Sequence, residues 1–177
     1  MGHKVVYNGS KWGEVGNTPS QKRFFTVQVG NGVEQMFLGE YTHTIDNKGR
    51  LTVPAKFRAE LSTGLVVTRG MDRCLIIYSM DSWRKLADQI SGLKLTDRKA
   101  RDFRRLVYAN ATDTVPDSQG RINIPQPLRD YGNLDGEAVI VGCDTYIEIW
   151  APESWNEVRT RVEESGNDAE QWAELGI

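Results

Sequence analysis

Two arginines at equivalent turns are the residues of this sequence best suited to chemistry, and that chemistry is the binding of an anion. Residues 46–54 read DNKGRLTVP and residues 117–125 read DSQGRINIP, so an Asp-x-x-Gly-Arg turn occurs twice, 71 residues apart. Arginine presents a planar set of donors that matches phosphate oxygens and the O6 and N7 atoms of guanine. A contact point repeated within one chain suits a repeated target, and DNA is the commonest target of that kind.

The other residues of the turn have structural roles. Asp46 and Asp117 are expected to form the turn by accepting bonds from the backbone downstream, and each carboxylate could also hold its arginine in place. Gly49 and Gly120 are expected to serve the backbone alone, because glycine accepts a positive φ.

The cationic side chains are the candidate DNA contacts. We expect Arg50 and Arg121 to bind DNA, although each could instead be solvated or form an intersubunit salt bridge. Lys48 is the expected phosphate contact, and the second copy has Gln119 at that position, so the first copy should contribute more to binding. Arg58 and its repeat counterpart are as able to cap a helix C-terminus as to bind DNA.

The repeat extends over about 44 residues and defines the elements that must position these turns. We predict module 1 at 40–83 and module 2 at 112–155, each running strand, turn, strand, helix, strand, strand, helix. The segments around them are an N-terminal extension, a helical connector and an acidic C-terminal tail, predicted at 1–35, 84–111 and 156–177. The predicted fold class is therefore α+β, built from two tandem copies of one module.

Local signals set the predicted ends of the helices in module 1. Pro54 fits the first position of a short amphipathic helix, since the N–H that it lacks would be unpaired there. Asp81 or Ser82 is the expected cap of the second helix. The connector reads as one helix over 96–109.

Composition excludes several classes of protein. The chain of 177 residues is 39% hydrophobic, and no apolar run approaches the ~20 residues of a membrane span. No phosphate-binding glycine loop, nucleophile elbow or metal-ligand spacing occurs, so we expect no enzyme, cofactor, metal or small-molecule ligand. Cys74 and Cys143 are expected to be reduced and buried, as is usual in the cytoplasm.

The charge distribution suggests binding by several copies at once. The net charge is −2, with seven acids against two arginines in 151–177 and six basic residues against two acids in 94–105. Binding depends on local fields, yet one subunit with so little net charge would hold DNA weakly, so affinity needs several linked copies. The basic connector helix is either a solvated connector or a contact to phosphate or to the next subunit.

The residues around both turns resemble the MraZ family of bacterial transcriptional regulators, whose gene heads the division and cell-wall cluster. Residues 36–41 (MFLGEY), the first turn, and Lys56-Phe57-Arg58 match its N-terminal half. The second turn, the connector helix and Trp155 match the rest, to about residue 160. The resemblance implies the AbrB-like fold, in which swapped hairpins interlock into a double-split β-barrel. It also implies ring-shaped homo-oligomers that bind short G-rich direct repeats in double-stranded DNA upstream of their own gene, in the cytoplasm and at the nucleoid.

The expected function is therefore sequence-specific regulation of transcription. Repression of the chain's own division and cell-wall operon is favoured over activation, because the protein would sit over the promoter. The alternative is an antitoxin-like DNA-binding protein that neutralises a partner toxin, since such proteins share the fold. The duplicated module argues against that alternative, and the acidic C-terminal segment argues for it.

Residues 1–35 precede Met36, where the family usually begins, and read as a loop or disordered arm. One interpretation is a functional basic arm. The other is translated operator DNA, because the codons of Asn8-Gly9, Trp12-Gly13 and Val15-Gly16 permit three TGGG boxes ten nucleotides apart, about one turn of B-DNA. The code requires only the box at Trp12-Gly13.

Overall fold

The computed structural model describes residues 27–29, 32–34 and 36–165. Strands β1 (Val27–Val29) and β2 (Gly32–Glu34) form an antiparallel two-stranded sheet of their own. These six residues are paired strands where the sequence predicted a loop or disordered arm. The three candidate operator codon pairs of the N-terminal extension lie outside the described residues, as does the end of the predicted acidic tail.

The first half of the chain follows the predicted order of elements. Its elements are β3 (Phe37–Thr44), β4 (Arg50–Thr52), a 3-10 turn (Ala55–Phe57) continuing into α1 (Arg58–Leu61), β5 (Leu65–Arg69), β6 (Leu75–Ser79) and α2 (Met80–Ser91). The connector helix α3 (Arg98–Tyr108) follows, with the Asp97 side chain accepting a bond from the Lys99 N–H at its N-terminus.

The second half repeats that order. Its elements are β7 (Thr112–Thr114), β8 (Arg121–Asn123), α4 (Gln126–Tyr131), β9 (Glu137–Asp144), β10 (Tyr146–Trp150) and α5 (Pro152–Ser165). Helix α5 includes residues 156–165, so the first part of the predicted acidic tail is helical.

The predicted helix caps in module 1 are wrong by one to three residues. Helix α2 is capped by Ser79, whose Oγ accepts a bond from the Ser82 N–H at 3.2 Å, and not by Asp81 or Ser82. The reason is that β6 runs into α2 without a loop, so the last extended residue of the strand becomes the cap. Pro54 likewise occupies the cap position before the 3-10 turn and not the first helical position.

The strands form one six-stranded antiparallel sheet, in the order β3-β9-β10-β6-β5-β7, and a separate two-stranded ribbon of β4 and β8. The pairs β3–β9, β10–β6, β5–β7 and β4–β8 each join a strand of the first half to a strand of the second. The α+β class is confirmed. Neither half forms its sheet from its own strands alone.

The pairing follows an approximate two-fold symmetry between the halves. In the ribbon, Leu51 pairs with Ile122, its own equivalent 71 residues later. In the large sheet, Ile76 pairs with Glu148, its equivalent 72 residues later. A two-fold axis that relates two copies must pass between residues that pair with their own equivalents. One axis therefore passes through both sheets and relates the two halves of the chain.

The main core lies between one face of the large sheet, the ribbon and the short helices. The Phe57 ring meets Phe37 and Tyr41 edge-on, each at 5.2 Å between ring centroids, a favourable arrangement for aromatic pairs. Leu51 and Ile122 of the ribbon are each 1% exposed in the same core. Burial of these two residues fixes the ribbon's inner face, and with it the outward face.

Helices cover the opposite face of the large sheet. Trp83 of α2 meets Tyr108 of α3 edge-on at 5.8 Å, and Trp155 of α5 packs on Trp150 at the same distance. Arg104 of α3 donates from Nη2 to the backbone carbonyls of Ile90, Ser91 and Leu93, at 2.8, 2.9 and 3.0 Å. A cation at the C-terminus of α2 satisfies carbonyls that the helix leaves unpaired and complements its dipole.

Both cysteines are free thiols near this face. Cys74 is buried and Cys143 is half-buried. Burial raises the pKa of Cys74 to about 12 and that of Cys143 to about 11, and the charge of Glu148 adds to both shifts. The two thiols are therefore protonated near neutral pH.

Candidate nucleic-acid interface

The first turn is built on the Asp46 carboxylate. Its Oδ1 accepts the backbone N–H groups of Lys48 and Arg50, both at 2.9 Å. The N–H of Gly49 closes the turn by donating to the Asp46 carbonyl at 2.8 Å. Aspartate is suited to this position because its short side chain reaches the backbone two residues downstream.

The same carboxylate holds the arginine. Arg50 donates from Nε to Asp46 Oδ2 at 2.8 Å, and its Nη2 lies 2.7 Å from the same oxygen. Among the described residues, Arg50 Nη1 has no partner. The guanidinium is thus fixed along its Nε side, while the side that carries Nη1 stays open.

The second turn repeats this geometry atom by atom. Asp117 Oδ1 accepts the N–H groups of Gln119 and Arg121 at 2.9 Å, and Oδ2 accepts Arg121 Nε at 2.9 Å. Arg121 Nη2 lies 2.8 Å from Oδ2. The aspartates form the turns and also hold the arginines, so the two roles weighed for them from the sequence occur together.

The ion pairs persist over a wide pH range. Hydrogen bonds from Arg50 lower the pKa of Asp46 to about 2, and those from Arg121 lower the pKa of Asp117 to about 2. The hydrogen bond to Asp46 raises the pKa of Arg50, and the charge of Asp117 adds to that rise. The influence of Asp117 on Arg50 indicates that the two turns lie close to each other.

The ribbon accounts for that closeness. Side chains alternate along a strand, so burial of Leu51 and Ile122 directs Arg50 and Arg121 to the opposite, outward face. Arg50 pairs with Asn123, and Arg121 pairs with Thr52. One strand spacing across and two residues along place the two arginine Cα atoms about 8 Å apart. The sequence predicted two repeated contact points, and the structure joins them in one patch.

Arg58 and Arg129 lie behind the turns as braces between the two halves. Arg58 Nε donates to the Val53 carbonyl at 2.9 Å, and Arg129 Nε donates to the Ile124 carbonyl at 3.1 Å. Each accepting carbonyl lies at the end of a ribbon strand of the arginine's own half. These contacts differ from the helix C-terminal capping considered from the sequence.

Each brace also packs against the glycine of the other half's turn. A Cβ on Gly120 would lie 2.7 Å from Arg58 Cδ and Cζ, and a Cβ on Gly49 would lie 3.0 Å from Arg129 Nε. Backbone bonds follow the same exchange, since the Val53 N–H donates to the Gly120 carbonyl at 2.8 Å. The expectation that these glycines serve the backbone alone is wrong, because close approach of an arginine requires them as well.

His43 lies beside one brace. It has no histidine counterpart in the second half, where the equivalent residue is Thr114. Partial burial, and then the charge of Arg58, lower its pKa below the usual value. The imidazole is therefore neutral near neutral pH and adds no charge to the patch.

Some of the remaining cations that the sequence offered for DNA are engaged elsewhere in the fold. Lys48 and Gln119 are exposed at the tips of their turns. In the connector helix, Arg104 binds the end of α2, and Arg101 donates to the carbonyls of Leu95 and Thr96. Two of the six basic residues in 94–105 thus satisfy carbonyls in the preceding segment.

Sequence reasoning missed two outward residues of the ribbon. Thr52 is half-buried and Asn123 is exposed, and they occupy equivalent positions beside the arginines. The repeat alignment placed one on the other, so the available signal was their position two residues after each arginine in a strand with a buried middle residue.

Other kinds of site are sparse in the part of the chain that the structure describes. No group of three or more His, Cys, Asp or Glu side chains there could hold a metal ion. No helix within that part is both long and apolar enough to cross a lipid bilayer. A cavity of about 90 Å³ lies between the large sheet and the α2–α3 pair, with Ile76, Phe103 and Val107 in its lining. It is small beside the roughly 300–1,000 Å³ of ligand pockets.

Comparison with known proteins identifies the family. The model of the MraZ protein family, whose description adds a likeness to antitoxins, matches residues 36–106 and again residues 107–174. A transcriptional regulator MraZ of Thermomicrobium roseum is 53% identical over 120 residues, which are 68% of this chain and 84% of that protein. The relative of the same name in Herpetosiphon aurantiacus is 53% identical over 123 residues, covering 70% and 86% of the two chains.

A third relative matches a longer stretch of the chain than these two. The transcriptional regulator MraZ of Alkaliphilus metalliredigens is 45% identical over 143 residues, which are 80% of this chain and the whole of that protein. The two family matches together cover most of the chain, and their boundary falls in the last turn of the connector helix α3, a few residues before β7. These matches confirm the resemblance of both turns, and the chain belongs to the MraZ family.

Proposed function

We propose that the chain is a sequence-specific DNA-binding regulator of transcription, and not an enzyme, whose two turns contact the bases. The observation that carries the proposal is the pair of arginines held by aspartates on one outward face. The names of the relatives, all transcriptional regulators, support it.

The held arginines favour base recognition over loose charge attraction. Guanine O6 and N7 accept two parallel bonds from one guanidinium, the commonest specific base contact. A side chain fixed by Asp46 before binding loses less conformational freedom on binding than a free one. The open Nη1 side of Arg50 is available for such a contact. G-rich boxes in double-stranded DNA suit this chemistry.

The charge of the patch supports binding by many copies. Arg50, Arg121 and Lys48 carry three positive charges, and the two turn aspartates offset two of them. One patch is thus a weak ligand for DNA, and linking several patches multiplies affinity without new contacts. We propose a ring-like homo-oligomer with AbrB-like interlocked hairpins, which binds direct repeats upstream of its own gene and represses its own operon.

The test is a gel shift with roughly 100 base pairs of DNA upstream of the gene, against a duplex with the repeats scrambled. Arg50→Ala should lose on the order of 1–3 kcal/mol per contact, or about 5- to 150-fold, and Arg121→Ala should lose less. Lys48→Ala should weaken binding to both duplexes alike and reduce the salt dependence by about one ion.

The matched control is Arg84→Ala. Arg84 is an exposed arginine that pairs with Asp81 at 2.7 Å, a local ion pair on α2 away from the turns. Its loss should leave binding unchanged. Normal binding of the repeats by Arg50→Ala would contradict the proposal. Failure of Arg50→Ala to assemble would assign the arginine a role between subunits. Copurification of a small toxin would support the antitoxin alternative, to which the family description and the acidic C-terminal segment point.

A further inference from the structure

The outward face of the β4–β8 ribbon carries two side chains besides the arginines. Thr52 lies across from Arg121, and Asn123 lies across from Arg50, each pair about 5 Å apart at Cα. Within the described residues, neither the Thr52 hydroxyl nor the Asn123 carboxamide has a hydrogen-bond partner. All four side chains leave the same face, because the residues between them, Leu51 and Ile122, are buried.

The dimensions of this face fit the major groove of DNA. Each strand has three residues and is about 10 Å long, and the two strands are about 5 Å apart. A major groove about 12 Å wide admits a two-stranded β-ribbon. The arginine separation of about 8 Å is close to two base-pair steps, so neighbouring side chains would face neighbouring bases.

The face is symmetric in its arginines and asymmetric in its other residues. Arg50 and Arg121 are equivalent by the two-fold axis, as are Asp46 and Asp117. Thr52, in contrast, is equivalent to Asn123. A ribbon whose two ends were chemically identical would bind a duplex equally well in two orientations, because the DNA backbone itself has two-fold axes. Chemical differences between equivalent positions remove that equality.

The two side chains differ in what they recognise. A carboxamide pairs in two-bond fashion with N6 and N7 of adenine, whereas threonine offers a hydroxyl and a methyl group to either kind of base pair. Resting on the proposed function, we propose that Asn123 contacts a base beside the guanine bound by Arg50, and that the Thr52–Asn123 difference sets the direction in which the ribbon lies on DNA.

A fixed direction matters for the sites that the proposed function assigns. Direct repeats present every box in the same orientation, while inverted repeats present alternate boxes in opposite orientations. A ribbon that distinguishes its two ends binds each direct repeat in one way only. Successive subunits on such DNA then share one orientation relative to the helix axis.

The experiment is selection of binding sites from duplexes with a randomised segment, using the full chain and four variants. The wild-type protein should select an asymmetric, G-rich motif. Asn123→Ala and Asn123→Thr should keep the guanines and lose discrimination on the order of 10- to 100-fold at one neighbouring position. Thr52→Asn places a carboxamide at both ends and should select a motif closer to an inverted repeat. Asn156→Ala, at an exposed position on α5, is the matched control and should select the wild-type motif.

The outcomes separate the inference from the proposed function. If the wild-type protein selects no motif, the proposed function fails and the inference fails with it. If the wild-type motif appears and both Asn123 variants keep its discrimination at every position, the inference alone is overturned. An unchanged asymmetric motif from Thr52→Asn would overturn it as well. Thermal unfolding of each variant checks its fold, and Asn123→Thr, with a side chain suited to strands, provides the folded variant if Asn123→Ala unfolds.

Discussion

Replacement of Gly120 by alanine should destabilise the protein more than the same change at Gly49, although the two glycines are equivalent. Both have a positive φ, +74° at Gly120 and +76° at Gly49. An L-residue in that region costs roughly 1–2 kcal/mol, which is common to both variants. Any difference in unfolding free energy between the two variants must therefore come from the atoms that each new Cβ contacts.

At Gly120 the new Cβ would clash with Arg58, whose side chain is held in place by a hydrogen bond. It would lie 2.7 Å from Arg58 Cδ and Cζ, closer than real carbon contacts, and closer still to Nε. Arg58 must then leave the Val53 carbonyl, a bond from a charged donor worth roughly 1–2 kcal/mol at a half-buried site. The sum is about 2–4 kcal/mol for Gly120→Ala. Gly49→Ala, with its nearest brace atom at 3.0 Å, should cost about 1–2 kcal/mol.

The assay is equilibrium unfolding in urea at one protein concentration, which keeps any contribution from assembly constant. A double-mutant cycle with Arg58→Ala isolates the steric part. On that background Gly120→Ala should cost only the common roughly 1–2 kcal/mol of backbone strain. Equal losses for the two glycine variants, or additive losses in the cycle, would refute the reasoning that the brace requires the glycine.

Three further results are expected. Since the pKa of Asp46 and that of Asp117 lie near 2 in the fold, below the usual 3.8, both stabilise the protein above pH 3.8 and lose this effect as the pH falls towards 2. Replacing both by asparagine should flatten the fall in unfolding free energy over that window. Cys74, whose pKa burial raises to about 12, should resist iodoacetamide at about pH 8 in the native protein and react after unfolding, as read by peptide mass. Arg104→Ala should lower the free energy of unfolding by about 1–3 kcal/mol in thermal unfolding, because the end of α2 loses its donor. The control is Arg98→Ala: the Arg98 side chain is 87% exposed, and its loss should change stability by less than about 0.5 kcal/mol. Comparable losses for the two variants would contradict the capping role of Arg104.

The order of elements and the chemistry of the turns could be predicted because their determinants are local. The Asp-x-x-Gly-Arg spacing places a carboxylate next to the backbone that it bonds, and the repeat supplies two independent readings of it. The family resemblance rests on the same local residues, and both family matches confirm it.

The relation between the two turns could not be predicted, because it depends on pairing across the chain. Strand patterns indicate which face of β4 and β8 is buried, but not that these strands pair with each other. The contact of Arg58 with Gly120 follows only from that pairing. The cap at Ser79 was missed for a more local reason, since the pattern does not show that a strand enters a helix without a loop.

Because strands of the first half pair with strands of the second, the fold has the architecture of a dimer whose two copies are joined in one polypeptide. In a dimer of identical chains every substitution is made twice, so a change that suits one side of the axis is imposed on the other. Covalent linkage removes that constraint, and each half can accept substitutions singly. In this chain the two halves differ at one such pair of equivalent positions, Lys48 and Gln119. The two brace arginines and the two turn glycines are the same in both halves. Duplication here has separated the residues that the fold needs twice from those that it needs only once.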